Sequence, residues 1–230
     1  LPNYREFYEK RQFTRGHNCH GLDVTIAGHE APFGTDVIFA ADNLPGFTFG
    51  IEICEDFWAP QPPGMMAAMA GATILANLSA SPVTIGRAKD RHLHCASASS
   101  RGMCAYVYSA SGHGESTTDL AWDGQGVIYE MGELMRESVR FDRKAELCIV
   151  DIDTRRIVNN RRQNGTFHDA SEAAGRPEDW YRRVAFTHSH TPGDIGLQRA
   201  VRRYPFVPDD PDTLHEDCYE AVNIQVDALM

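Results

Sequence analysis

The chain has 230 residues, 42% of them hydrophobic and 23% charged, which suits a folded chain with a sizeable core and sets disorder aside as the default. Its 32 acidic residues outnumber 22 basic ones, and the net charge of −10 argues against a nucleic-acid or membrane-surface binder. No apolar run approaches a membrane span, and the first residues do not have the pattern of a signal peptide.

Residues 4–13 mix aromatic and charged side chains after Pro2 and Asn3, which predicts a turn or short helix. Residues 16–34 read as loop and short hairpin, with strands expected at 24–27 and 36–40. His17, Cys19 and His20 lie close together, but Gly16, Asn18 and Gly21 around them read as a loop. With no second ligand cluster at metal spacing, no metal is expected. The run 47–53 is β-branched and aromatic, as in a buried strand, and it stops on Cys54-Glu55-Asp56. Pro60, Pro62, Pro63 and Gly64 follow, then a small Ala/Met-rich helix over 63–70 closed by Gly71. A strand is expected at 73–78, ending in Ser79-Ala80-Ser81-Pro82. An amphipathic helix over 87–103 and a strand at 105–110 come next.

This alternation predicts an α/β architecture, in which ligands collect where strands end. Beyond it, 126–130 and 147–152 read as strands of an antiparallel half-sheet. The segment 151–162 reads as a helix whose Arg155, Arg156, Arg161 and Arg162 lie on a solvated face. From Asn164 the sequence reads as irregular chain, until a helix begins near Cys218. The expected organisation is therefore a catalytic-type domain over 1–163 and a connector over 164–230. The chain opens on Leu1 without an initiator Met and is expected to be a piece of a longer polypeptide.

Cys54 is the candidate nucleophile. A rigid strand would fix its sulfur while the turn leaves it accessible, and the backbone N–H of Glu55 would face the atom it attacks. The competing reading is a small buried hydrophobe at a strand end. The other five cysteines (Cys19, Cys95, Cys104, Cys148 and Cys218) have no paired spacing and read as structural free thiols of a cytoplasmic protein.

Four motifs in order are Leu1-Pro2-Asn3-Tyr4, Glu52-Ile53-Cys54-Glu55-Asp56, Asn77-Leu78-Ser79-Ala80-Ser81-Pro82 and Glu115-Ser116-Thr117-Thr118-Asp119. Together they resemble the nitrilase (carbon–nitrogen hydrolase) superfamily and, more narrowly, the glutaminase domain of glutamine-dependent NAD+ synthetases. The resemblance implies an α-β-β-α sandwich, incomplete at its N-terminus, with a C-terminal connector to an absent synthetase domain. It implies that Cys54 attacks the glutamine amide, forming a thioester and releasing ammonia, with Glu55 lending its backbone N–H to the oxyanion. It also implies that Tyr4, Glu55, Ser81 and Arg87 line the glutamine pocket and that Glu9 organises the site. The family's general-base Glu and its Lys would lie upstream of Leu1, so residues 1–230 alone are expected to be inactive. No cofactor is expected in this domain; ATP, Mg and deamido-NAD+ would belong to the synthetase domain. A homo-oligomer is expected, with no nucleic acid and no membrane. The alternatives are a stand-alone amidase or carbamoylase of the same superfamily and a non-catalytic assembly fragment.

Overall fold

The computed structural model describes residues 12–115, 120–189, 193–201, 204, 207–208 and 210–230. Two units are present, residues 1–197 and 198–230.

The first unit is built on a seven-stranded mixed sheet whose strands lie in the order Glu133–Glu137, Gly126–Glu130, Ala105–Ala110, Ile74–Ser79, Thr48–Ile53, Val37–Ala41 and Arg182–Phe186. Ahead of it, β1 (Leu22–Ile26) and β2 (His29–Phe33) form a separate hairpin. Its two turn residues, Ala27 and Gly28, have φ of 51° and 81°, as the tight turn requires. β3 (Val37–Ala41) then pairs antiparallel with β4 (Thr48–Ile53). α1 (Pro63–Met69) carries the chain to β5 (Ile74–Ser79), and α2 (Arg87–Arg101) carries it to β6 (Ala105–Ala110). β4, β5 and β6 are mutually parallel, so they are two successive βαβ units. Both helices pack on the same face of the sheet.

That face is built for close approach. A Cβ on Gly50 would stand 2.8 Å from the Cβ of Ala67, so only glycine lets α1 sit this near β4. Phe57, Tyr106 and Tyr108 fill the space beside it, with the Phe57 and Tyr106 rings stacked at 5.0 Å. The opposite face carries Ile51, Ile53 and Leu78, each more than half exposed. A sandwich of the kind the resemblance implies would bury this apolar face.

β7 (Gly126–Glu130) and β8 (Glu133–Glu137) extend the sheet as a hairpin over Met131-Gly132, with φ of 49° and 95°. Beside β6 on one edge, the other antiparallel partner of β7 is thus 133–137, not the expected 147–152, which forms no strand. A two-residue turn closes the nearer pairing at less entropic cost than a loop of sixteen or so residues.

α3 (Thr154–Gln163), α4 (Gly165–Ala173) and α5 (Pro177–Trp180) follow, and β9 (Arg182–Phe186) joins the sheet parallel to β3. The sequence from 165 to 186 is therefore regular where irregular chain was expected. The Asn164 side chain caps α4 by accepting from Phe167 N at 2.8 Å, a signal that its position beside Gly165 disguised.

Arg161 corrects the reading of a solvated face on α3. It is 8% exposed, and its guanidinium donates to Ala68 O (3.0 Å), Ala72 O (2.7 Å), Gly102 O (2.9 Å) and Met103 O (3.0 Å). These carbonyls lie at and just past the C-terminal ends of α1 and α2, where helices leave acceptors unsatisfied and carry partial negative charge. One planar cation thereby ties both crossover helices to α3.

The second unit contains α6 (Pro211–Leu229), which begins with Pro211 at its first position and with the Asp210 side chain accepting from Thr213 N at 2.8 Å. Among the described residues, no helix is long and apolar enough to cross a membrane.

Candidate active site

The site forms where β4, β5 and β6 end side by side. β4 stops at Ile53, and Cys54–Trp58 turns at once into a short 3-10 helix. Cys54 has φ of 51°, a left-handed conformation that costs a non-glycine residue roughly 1–2 kcal/mol. Three bonds hold the strained corner. Asn77 Nδ2 donates to Cys54 O at 3.3 Å, Ile53 N donates to Asp56 Oδ2 at 3.2 Å, and Ser79 Oγ donates to the Cys54 sulfur at 3.6 Å. Cys54 is half-buried rather than sealed. A sulfur presented at a strained strand-to-helix corner is the geometry of a nucleophile elbow.

The other thiols contrast with it. Cys95 and Cys104 are fully buried; burial pushes the Cys95 thiol well up and the Cys104 thiol up to about 12. Such thiols are inert core residues.

Glu52 lies on β4, two residues before Cys54, and is by position a candidate base. Its carboxyl instead accepts from Gly64 N at 2.7 Å and from the Tyr106 hydroxyl, both within the α1 side of the sheet. Burial, with a smaller push from Asp56, raises its pKa against those hydrogen bonds. Glu52 pins the first turn of α1 under the corner.

Ser81 is buried in the loop after β5, and its carbonyl accepts from Arg91 at 3.0 Å. Arg91 is fully buried and also donates to both oxygens of Asp123 at 2.8 Å and to Gln125 at 3.1 Å. Burial alone would raise the Asp123 carboxyl. Hydrogen bonds and charge from Arg91, then Arg140, overcome that and hold it below the ordinary carboxylate range. This ion pair fastens the Ser81 loop to the chain entering β7. Sequence reading passed over both residues, because Arg91 on an amphipathic helix looks like a surface charge.

Arg87 starts α2 and lies over the Trp58 ring at 4.7 Å, so it packs against the same 3-10 turn that carries Cys54 and Glu55. It reaches Asp90 only at 4.0 Å, and its Nε has no partner. His94 packs edge-on against Trp58 from the next turn of α2, and burial, the largest influence, lowers its pKa. Glu55 follows Cys54 in the turn, Arg87 packs on Trp58 of that turn, and Ser81 lies two residues past the end of β5. Tyr4 and Glu9 lie outside the described residues, as do residues 116–119 of the fourth motif. Among the described residues, no group of three His, Cys, Asp or Glu side chains could hold a metal ion. A cavity of about 580 Å³ lies between β6, β7 and residues 142–148, and Cys54 does not line it.

No family model matches the chain. Over 229 residues it is 52% identical to the glutamine-dependent NAD(+) synthetases of Mycobacterium tuberculosis and Mycobacterium leprae, covering 100% of this chain and 34% of each relative. The Aquifex aeolicus enzyme of the same name is 25% identical over 173 residues, 73% of this chain and 26% of the relative. Among solved structures, a glutamine-dependent NAD(+) synthetase from Cytophaga hutchinsonii superposes with a TM-score of 0.52 at 30% identity, covering 63% of this chain and 22% of that one. The chain thus spans about a third of the length of the curated relatives it matches.

Proposed function

We infer the function of this chain from its family, for it belongs to the glutamine-dependent NAD(+) synthetases as their glutaminase region, about a third of their length. The reading is that Cys54 attacks the side-chain amide of glutamine. The amide carbon gains a C–S bond and its oxygen becomes an oxyanion, which the Glu55 backbone N–H stabilises. Collapse of that intermediate expels ammonia and leaves a thioester, which water hydrolyses to glutamate and the free thiol. The ammonia would serve an ATP-using synthetase portion that converts deamido-NAD+ to NAD+.

The observation that carries the reading is the Cys54 corner, a half-buried sulfur at a left-handed φ of 51° at the end of β4. The pocket residues fit the substrate's chemistry. Glutamine presents a carboxylate, which suits Arg87, and an ammonium, which suits Glu55; Tyr4 and Ser81 add hydroxyls, and Glu9 organises the site. The Glu52 carboxyl is engaged with Gly64 and Tyr106, so it is not the general base in this reading. In this account homo-oligomerisation and a protected ammonia path belong to the whole protein.

Glu55→Gln in the intact protein tests the pocket. Losing one charged hydrogen bond should raise the KM for glutamine by roughly 10- to 100-fold. Synthesis fed with free ammonia should stay unchanged. An unaltered KM for glutamine would remove Glu55 from the pocket.

A further inference from the structure

The last register pair of β4 and β5 is Ile53 with Leu78, and the next residue on each is Cys54 and Ser79. Ser79 is 5% exposed, and its carbonyl accepts from Ser111 N at 2.8 Å, so the sheet fixes its backbone. Its hydroxyl donates to the Cys54 sulfur at 3.6 Å. On β6, Tyr108 stands beside Asn77, is 1% exposed, and has a buried hydroxyl with no hydrogen-bond partner. The Arg91 guanidinium lies 5.6 Å over the Tyr108 ring and clamps it. Three adjacent parallel strands thus carry a thiol and two buried hydroxyls at or near their ends.

We propose that Ser79 is a catalytic contact of Cys54, a hydroxyl that holds the sulfur and donates to it as charge develops there, with the Tyr108 hydroxyl behind it as a reserve donor. The proposal rests on the reading of Cys54 as the nucleophile. Ser79 is distinct from Ser81, the residue of the same motif that the resemblance places in the pocket. Ser79 keeps its proton throughout, and no bond to it forms or breaks. A hydrogen bond donated to a charged acceptor stabilises that charge, and a thiolate is the attacking species. When ammonia has left and the sulfur is released from the thioester, the same hydroxyl receives the returning charge. Tyr108 fits the reserve role. Burial above all raises its pKa, so it remains a protonated donor, and Ser79 is among the groups that act on it.

The test is the rate of iodoacetamide alkylation at Cys54 in the intact protein, read by peptide mass spectrometry against exposed Cys218 as internal reference. A donor raises the thiolate share but softens the nucleophile, so the net effect is smaller than the hydrogen bond alone suggests. Ser79→Ala should slow Cys54 at least about threefold relative to Cys218. Ser79→Thr keeps the hydroxyl and should restore the rate to within about twofold. A packing role alone would not be rescued in this way, since Thr adds a methyl group. An unchanged rate in Ser79→Ala, or a Thr variant as slow as Ala, overturns the proposal while leaving Cys54 as nucleophile. A native Cys54 no faster than Cys218 overturns the nucleophile reading and this inference together.

Discussion

Cys54→Ala is expected to abolish glutamine-supported NAD+ formation in the intact protein, by at least about a thousandfold, and to leave ammonia-supported formation within about twofold. The asymmetry is the point of the experiment. Ammonia enters after the step that needs the thiol, so a fold defect would lower both rates and a lost nucleophile lowers only one. The backbone adds a second expectation. Cys54 sits at φ of 51°, where alanine keeps the strain and glycine relieves it. Cys54→Gly should therefore be as inactive as Cys54→Ala but at least as stable as the native chain. A site that stores strain for presentation of its sulfur behaves this way; a cysteine chosen for packing would lose stability on either change. Equal loss with both nitrogen sources, or retained use of glutamine, would count against the assignment.

Arg161→Met is expected to cost about 3–5 kcal/mol of stability. Methionine keeps the apolar stem but leaves the carbonyls of Ala68, Ala72, Gly102 and Met103 without their shared donor. Burial already lowers the Arg161 pKa, so the cation is held in place by the ends of α1 and α2, not by a carboxylate. Arg161→Lys should fall between, since a point-like ammonium cannot span four acceptors. For a chain of this size the methionine change should lower the melting temperature by about 10 °C. A change within about 1 kcal/mol would mean that water replaces the guanidinium.

The parts of the fold legible in the sequence are those written locally. The apolar run ahead of Cys54, the Ala/Met helix between Pro63 and Gly71, and the strand at 105–110 each announce themselves by pattern and punctuation, and the structure places β4, α1 and β6 there. The strand end also pointed to Cys54, Glu55 and the Ser81 loop. What stayed hidden depends on distant partners. Arg161 looks like a surface arginine until carbonyls 58–93 residues away surround it. Arg91 looks like helix decoration until Asp123 meets it from another loop. Ser79 differs from Ser81 only in falling inside the strand, opposite the first residue after β4. The swap of 147–152 for 133–137 as the partner of β7 has the same origin. Both segments carry apolar residues, and the Met131-Gly132 turn decided between them.

The most direct test of the central claim is the covalent capture of Cys54 by a glutamine-mimicking electrophile, 6-diazo-5-oxo-norleucine, in the intact protein, mapped by mass spectrometry of its peptides. The account predicts one adduct, on Cys54 and on none of the other five cysteines, with labelling suppressed by excess glutamine. An unlabelled Cys54, or an adduct on Cys54 that glutamine does not suppress, would contradict it.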